Sequence, residues 1–396
     1  MTISLPPKNS EIIPNIEQIE ASILQKFVAP LANEIDSDKK ALKTALMTLG
    51  KSGLLALQVP QKWGGLELNQ QDYFNYQLLV ARYSGALSFL QTQHQSAGAI
   101  LAASENYQLQ QQYLPNLSHG KILLGVGFSQ LRRSGEAPVK AFPTAGGYYI
   151  EGIVPWITGW GIFQEFIIAA KLPDGRAIFG MMPFVENEQS NGNITFSEVM
   201  PLCAINSTNT VSATVKNWFL SNEHLVSIKP ANWIQEKDIK KILNFTPFAL
   251  GCALAGIDIM TEVSKKKPLA FITDAIHSLT AEVNQCRNSI ELANKNPDSD
   301  FAEKLHLRVT AINLAQRCTA AAVTVSSGAA NHKNHGAQRV YREALVYTVS
   351  AQTTDIMEAT LKCYSREQGT GNREQGTGGK TFPCLRFTIS TSPNGT

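Results

Sequence analysis

The sequence predicts an α+β protein in three parts: an N-terminal helical domain, a middle antiparallel β domain and a C-terminal four-helix bundle. Apolar residues recur at helical spacing towards both ends of the 396-residue chain. Between them, from about 121 to 225, short segments rich in glycine, proline and β-branched residues alternate with turn signals. No proline lies between Pro297 and Pro383, which favours long helices. The predicted domains are 1–120, 121–228 and 229–364.

The N-terminal helices are predicted from amphipathic spacing and end signals. Ile16, Ile19, Ile23 and Phe27 recur at steps of three and four residues. A second helix is expected over 39–51, ending near Gly53 as a C-terminal cap. A third is expected over 70–84.

The middle domain begins with the segment Gly146–Trp160, which predicts a strand, a tight turn at Glu151–Gly152 and a second strand. Trp156 and Thr158 are two residues apart, so on a regular strand they point the same way. Such a face suits a planar heterocycle with a polar edge. The alternative is an ordinary core tryptophan beside a solvent-facing threonine. Further strands are expected over 166–172, 177–182, 193–196, 211–215 and 218–220.

The C-terminal bundle is predicted from the helical face formed by Leu305, Val309, Ile312 and Ala315. It is followed by two tandem polar heptads, Arg366–Asn372 and Arg373–Gly379. Such glycine-rich repeats cannot build a core, so residues 365–396 are predicted to be a disordered tail.

Composition and charge exclude several classes of function. A hydrophobic content of 43%, a charged content of 17% and a net charge of +3 are typical of a globular protein that binds no nucleic acid. The N-terminus lacks an apolar signal core, and the apolar run Thr246–Ile259 is short for a bilayer. Six scattered cysteines without a Cys-x-x-Cys pair favour reduced thiols. We expect a cytoplasmic protein with no membrane span and no metal site.

Several motifs together resemble the acyl-CoA dehydrogenase family. The flavin-binding segment of that family is similar to Gly147–Ala170, with Trp156-Ile157-Thr158 at its centre. Val59-Pro60 with Gly65, and Gln111–Pro115, also resemble family motifs, so the likeness covers roughly residues 15–362. The resemblance implies the acyl-CoA dehydrogenase-like fold, an FAD cofactor, a small-molecule substrate such as an acyl-CoA, and a homodimer or homotetramer formed through the bundle.

The resemblance also implies roles for individual residues. Trp156 would pack against the flavin ring, and Thr158 would hydrogen-bond near its reactive nitrogen. The flavin loop of the family corresponds to 128–136, where Ser129 and Gln130 would contact the cofactor. Arg132 and Arg133 in that loop could meet a phosphate of the flavin or substrate. Thr353 retains the threonine of the family's Tyr-Glu-Gly-Thr motif and is the fifth predicted cofactor contact.

The catalytic glutamate of that motif falls on Ala351, and the position of an alternative base falls near Asn244. We therefore predict no catalytic residue. The nearby carboxylates Glu343 and Asp355 are expected on exposed helix faces. The region 265–271 lacks the arginine with which the family binds the FAD pyrophosphate, so FMN is the alternative cofactor.

Three functions follow from these features. The first is a flavin-dependent oxidoreductase acting on CH–CH groups of an acyl thioester. The second is a flavin monooxygenase on the same fold, which uses reduced flavin and O₂ and does not need the glutamate. The third is a non-catalytic or decayed homologue.

Overall fold

The N-terminal part of the chain is helical, as predicted. The computed structural model describes residues 16–296 and 298–366. A short helix α1 continues into a π-helical segment over Glu20–Val28. Helix α3 begins after Asp38, whose side chain accepts a hydrogen bond from Ala41 N, and ends before Gly53, where φ is +70°. The helices are α1 (Ile16–Ile19), α2 (Ala32–Ser37), α3 (Lys39–Lys51), α4 (Gln70–Tyr83), α5 (Gly85–Ala102) and α6 (Tyr107–Tyr113).

The middle part forms one nine-stranded sheet, in the order β6-β7-β8-β3-β2-β4-β5-β9, with β1 also paired to β4. The sheet is mixed and not wholly antiparallel as predicted, because β1 and β2 pair with β4 in parallel. The β2–β3 hairpin separates β1 from β4 and supplies the length that a parallel connection needs. The strands are β1 (Leu124–Gly127), β2 (Val139–Thr144), β3 (Gly147–Ile157), β4 (Glu165–Lys171), β5 (Ala177–Pro183), β6 (Asn187–Gln189), β7 (Gly192–Phe196), β8 (Val211–Ser221) and β9 (Leu225–Lys229).

The predicted turn at Glu151–Gly152 is wrong, because β3 continues through it. The pairing register with β8 shifts between Ile150 and Gly152, which marks a β-bulge. Gly152 has φ +128°, and a Cβ placed on it would lie 2.0 Å from the Pro138 carbonyl oxygen. The glycine therefore serves a close strand approach rather than a chain reversal.

The C-terminal part is a helical bundle that also takes in one N-terminal helix. Apolar residues of α4 share a buried core with α8, α9, α10 and α11. The segment Ile242–Lys266 is long and apolar enough to span a membrane, but most of it is buried in the protein, as in a core helix. The predicted repeat tail from residue 367 onward lies outside the described residues. The helices are α7 (Trp233–Lys240), α8 (Thr246–Lys266), α9 (Ala270–Lys295), α10 (Phe301–Ser326), α11 (Gly336–Val349) and α12 (Thr354–Arg366).

His94 connects α5 to the start of the sheet. Its Nδ1 accepts a hydrogen bond from Leu124 N at 3.0 Å, and its Nε2 lies 3.4 Å from the Leu117 carbonyl oxygen. The ring is fully buried. Burial lowers the pKa of His94 to about 4, which keeps the imidazole neutral and able to accept one bond while donating the other.

The free energy of unfolding should therefore fall as the pH drops from about 6.5 towards 4. In that window the unfolded chain binds a proton at His94 and the folded chain does not. Between pH 7 and pH 5 we expect the wild type to lose about 2 kcal/mol more than His94→Gln, which keeps a donor and an acceptor without titrating. Urea unfolding at both pH values measures the difference, and equal losses in the two proteins would rule out this role.

Candidate functional site

Trp156 presents its indole to solvent at an irregular point of β3. The register of β3 against β8 shifts between Val154 and Ile157, where Pro155 has no N–H to give to the ladder. Trp156 is 48% exposed, whereas Thr158 is 6% exposed. This is the reverse of the alternative in which the tryptophan is buried and the threonine faces solvent. The exposed ring is a surface on which a planar ligand can stack.

Thr158 lies just beyond β3 in a group of three buried hydroxyls. Its Oγ1 is 3.1 Å from Thr210 Oγ1, which is 3.4 Å from Thr208 Oγ1. Because β3 is irregular before it ends, strict strand alternation does not extend to Thr158. Three hydroxyls carry three donors and two contacts use two of them, so one O–H can serve another acceptor.

The loop after β1 is fixed by Gln130. This residue lies in a 3₁₀ turn over Ser129–Arg132, and its Nε2 donates to the carbonyl oxygens of Gly127 and Ala169, at 3.0 and 2.8 Å. Its amide nitrogen thus ties the loop to β1 and β4, while Oε1 has no partner. The Ser129 hydroxyl is buried and also has no partner. These two oxygens are buried polar atoms to which a ligand could hydrogen-bond.

Arg132, which the sequence suggested could meet a phosphate, is instead paired with a carboxylate of the protein. Its guanidinium makes a bidentate pair with Asp238 of α7, at 2.6 and 2.9 Å. On the same helix, Lys237 Nζ lies 4.8 Å from the ring centre of Trp233 and 5.4 Å from that of Phe128. Burial lowers the pKa of Lys237. The loop is therefore held on its outer side by charge and cation–π contacts.

A cavity opens between this loop, the β4–β5 hairpin and the first turn of α7. Its lining includes Gln130, Arg133, Lys171, Trp233 and Gln235. Two of these side chains are cationic, and the N-terminus of α7 adds positive potential. Asn232 precedes that helix with φ +62° and gives no side-chain cap. This chemistry favours an anionic group on a ligand.

Ala351, which stands where the family motif has its catalytic glutamate, lies in the turn between α11 and α12. Ala351 has φ +47°, a left-handed conformation that is uncommon for alanine. The preceding Ser350 carbonyl accepts a hydrogen bond from Arg308 Nη2 at 2.9 Å. Arg308 is almost fully buried, and burial lowers its pKa to about 9. Thr353 directly precedes α12, and its Oγ1 accepts a bond from Ile356 N at 3.3 Å.

The expectation that Glu343 is exposed is wrong. It is 1% exposed, and its Oε1 accepts bonds from Arg339 Nη1 at 2.7 Å and from Gly85 N at 3.1 Å. Burial raises the pKa of Glu343, and Arg339 opposes that rise. Asp355 is exposed, as expected. Glu343 is buried because α5 packs on α11, a contact that its helix position alone does not reveal.

Four of the five predicted cofactor residues belong to the sheet region, since Ser129 and Gln130 follow β1, Trp156 is in β3 and Thr158 comes directly after β3. The loop with Ser129 and Gln130 packs on β3, and a Cβ placed on Gly125 of β1 would lie 3.3 Å from the Thr158 carbonyl oxygen. Thr353 comes from the bundle, where its hydrogen bond is local. Their role as cofactor contacts stays a prediction.

Sequence reasoning missed Thr210, Lys171 and Arg308. Arg308 had a signal, since it interrupts the apolar face of α10. No sequence signal pointed to Thr210 or Lys171, because the role of each depends on the residues that the fold places beside it.

Comparison with known proteins shows which proteins the chain resembles in sequence and in fold. Residues 16–121 match the family described as acyl-CoA dehydrogenase, N-terminal domain. A very long-chain specific acyl-CoA dehydrogenase, mitochondrial, of Macaca fascicularis is 22% identical over 86% of this chain, which spans only 57% of that relative's length. A 3-(aryl)acrylate reductase of Clostridium sporogenes is 19% identical, covering 87% of this chain and 96% of the relative.

Solved structures resemble the chain over most of its length. Butyryl-CoA dehydrogenase from Megasphaera elsdenii gives a TM-score of 0.73 at 16% identity, covering 91% of this chain and 100% of the other. KijD3 in complex with FMN and an amino-keto sugar nucleotide gives 0.68 at 15% identity, covering 90% and 94%. The fold is that of the acyl-CoA dehydrogenases. In sequence the chain is similar to members of that family at 19–24% identity, and the match to the family model covers residues 16–121.

Replacing Glu343 by alanine should destabilise the protein by about 3 kcal/mol, because Arg339 is left buried without its carboxylate. Asp355→Ala removes an exposed carboxylate from the next helix and should change the stability by less than about 0.5 kcal/mol. Chemical denaturation of both variants measures this difference. Equal stability of the two variants would contradict the structural role of Glu343.

Proposed function

We propose that this chain is a flavin-dependent oxidoreductase of acyl-CoA dehydrogenase type that acts on an acyl thioester. The observation that carries the proposal is the exposed Trp156 ring on β3, the strand that the loop with the unpartnered Ser129 hydroxyl contacts. An isoalloxazine needs an aromatic surface and hydrogen-bond donors at its polar edge, and the residues present fit that need. The bound flavin supplies the redox chemistry.

The residues of this chain would hold and orient the flavin. Trp156 would stack on the ring, and the Ser129 hydroxyl and the spare donor of the group formed by Thr158, Thr208 and Thr210 would meet its polar atoms. FAD is the cofactor that the family implies. FMN is supported by the missing arginine in 265–271 and by the FMN named with KijD3.

The cavity beside the loop supports a substrate with a phosphate-bearing arm. Arg133 and Lys171 line it, together with the N-terminus of α7. Coenzyme A carries such phosphates, and coenzyme A thioesters appear in the names of several relatives. The charge of the cavity is thus consistent with an acyl-CoA substrate.

A flavin monooxygenase is the second candidate. Ala351 offers no proton acceptor, and Glu343 is engaged with Arg339. A reaction of reduced flavin with O₂ does not need a carboxylate at residue 351, so this feature favours the oxygenase. A non-catalytic homologue is the third candidate, and it requires that the protein bind no flavin.

A homo-oligomer in the cytoplasm is also part of the proposal. Tyr341, Leu345 and Val349 form an exposed apolar stripe at four-residue steps on α11, and Met357 and Leu361 continue it on α12. An apolar stripe of this kind supports association of two copies through the bundle. The thiols of Cys203, Cys252, Cys286 and Cys318 are free, which fits a reducing compartment.

Purified protein should take up FAD or FMN and show flavin absorbance in the visible range. Trp156→Ala should weaken flavin binding at least about tenfold, because one stacked ring contributes on the order of 1–3 kcal/mol. Phe142→Ala, an exposed aromatic residue on β2, is the matched control. Absence of bound flavin after addition of either cofactor would eliminate both enzyme functions.

Restoring a carboxylate separates the two enzyme candidates. If the chain is a dehydrogenase that has lost its base, Ala351→Glu should raise acyl-CoA oxidation at least about tenfold, the lower range for general-base catalysis. Ala351→Gln has nearly the same shape and should give no gain. Anaerobic bleaching of the bound flavin by butanoyl-CoA is the readout. No gain with glutamate would count against the dehydrogenase.

A further inference from the structure

The segment between β7 and β8 contains a turn that is bounded by two residues in the left-handed region. Ile205 has φ +52° and Asn209 has φ +46°, on either side of a 3₁₀ turn over Asn206–Thr208. A β-branched residue is an outlier in this region, and its conformation persists only where surrounding contacts enforce it. We call residues 205–209 the strained turn. Such strain is concentrated at functional sites, so we asked what holds this turn and what the turn holds.

Asp36 of α2 holds the first residue of the strained turn. Its Oδ1 accepts a hydrogen bond from Ile205 N at 2.7 Å, and the residue is only 3% exposed. Its Oδ2 accepts a hydrogen bond from Arg342 Nη2 at 2.8 Å, so the carboxylate is fixed from both sides. Beside it, the Ile35 carbonyl oxygen accepts a bond from Ser207 Oγ at 2.5 Å. Helix α2 therefore anchors the strained turn at two points.

The strained turn in its turn fixes the backbone that directly follows Thr158. Gly159 N donates to the Thr208 carbonyl oxygen at 2.8 Å, and Trp160 N donates to the Asn209 carbonyl oxygen at 3.0 Å. Asn209 Nδ2 also donates to the Trp160 carbonyl oxygen at 3.3 Å. The position of Thr158 at the end of β3 therefore depends on the strained turn.

The side chain of Thr158 is oriented from the same segment. Its Oγ1 lies 3.1 Å from that of Thr210, which lies 3.4 Å from that of Thr208. Thr208 belongs to the strained turn, and Thr210 directly follows it. A hydroxyl hydrogen rotates towards whichever acceptor is offered. The position of Thr210 therefore decides whether the Thr158 hydroxyl is used inside the protein or points out of it.

We propose that Asp36 is a positioning residue of the flavin site: by holding the strained turn, it directs the Thr158 hydroxyl to the polar edge of the flavin. This inference rests on the proposed function, because it takes Thr158 as a flavin contact. Asp36 acts through Ile205 and Thr210 and not by touching the cofactor. A binding group must be held within about 0.5 Å of its productive position, and a strained turn keeps that position only while its anchor is present.

Flavin binding by single variants tests the inference. Asp36→Ala removes the acceptor of Ile205 N and should weaken FAD binding about tenfold, the effect of one lost hydrogen bond. It should also shift the visible absorbance band of the bound flavin, which a loss of stability alone does not do. Asp258→Ala is the matched control, since it also removes the carboxylate of an arginine pair between helices, that with Arg82 at 2.7 and 2.8 Å. It should lower the stability and leave FAD binding and the absorbance band unchanged.

A double variant tests whether Asp36 acts through Thr210. Thr210→Val replaces the hydroxyl by a methyl group of the same shape and should weaken FAD binding by a similar factor. Asp36→Ala combined with Thr210→Val should bind FAD no more weakly than Thr210→Val alone, because both changes remove the same orienting contact. Two losses that multiply would overturn the inference.

The remaining outcomes separate the inference from the proposed function. Binding of neither FAD nor FMN by the wild type would contradict the proposed function itself. Unchanged FAD binding by folded Asp36→Ala, or an equal loss in Asp258→Ala, would overturn the inference and leave the proposed function standing. If Asp36→Ala fails to fold, Asp36→Asn is the milder change, because a neutral amide holds Ile205 N and Arg342 less strongly. It should still weaken FAD binding, and unchanged binding would overturn the inference.

Discussion

Arg342 joins the three parts of the molecule, and the geometry of the candidate site depends on it. From α11 its Nη2 donates to Asp36 in α2 at 2.8 Å, and its Nη1 donates to the Cys203 carbonyl oxygen beyond β7. Asp36 also accepts a bond from Ile205 N at 2.7 Å. A buried carboxylate held by both an arginine and a backbone amide fixes all three segments. The end of α11, and with it the turn at Ala351, is therefore positioned from outside the bundle.

The loop over 128–136 differs in sequence from the family motif and is held in place by its own side-chain contacts. Gln130 uses both hydrogens of its amide to hold β1 and β4, a task of position and not of ligand recognition. Arg132 is held by Asp238, which lies 106 residues later in the chain. Gln130 holds the loop to the sheet and Arg132 holds it to α7. The other residues of the loop can therefore vary without changing its position.

Local signals predicted what local forces determine. The bounds of α3 followed from its cap residues, and β4 and β5 followed from apolar runs between turns, within a residue of the structure. These local signals did not predict contacts between residues that are far apart in the sequence. The burial of Glu343 depends on a glycine in α5, the continuation of β3 through Gly152 depends on the approach of Pro138, and the parallel pairing of β1 depends on the path of the chain. The residues around Trp156 carried the resemblance to flavin enzymes. They did not predict that the Trp156 ring is exposed, because the exposure occurs where the pairing of β3 with β8 is irregular at Pro155.

The packing of α4 determines how the protein can open. A Cβ placed on Gly251 of α8 would lie 2.3 Å from the Leu78 carbonyl oxygen, and Arg82 of α4 makes a bidentate pair with Asp258 of α8 at 2.7 and 2.8 Å. Two helices in such close contact do not separate without exposing backbone and breaking an ion pair. The N-terminal domain therefore cannot swing away from the bundle as a rigid body. Any movement that admits a ligand must therefore leave the contact between α4 and α8 intact.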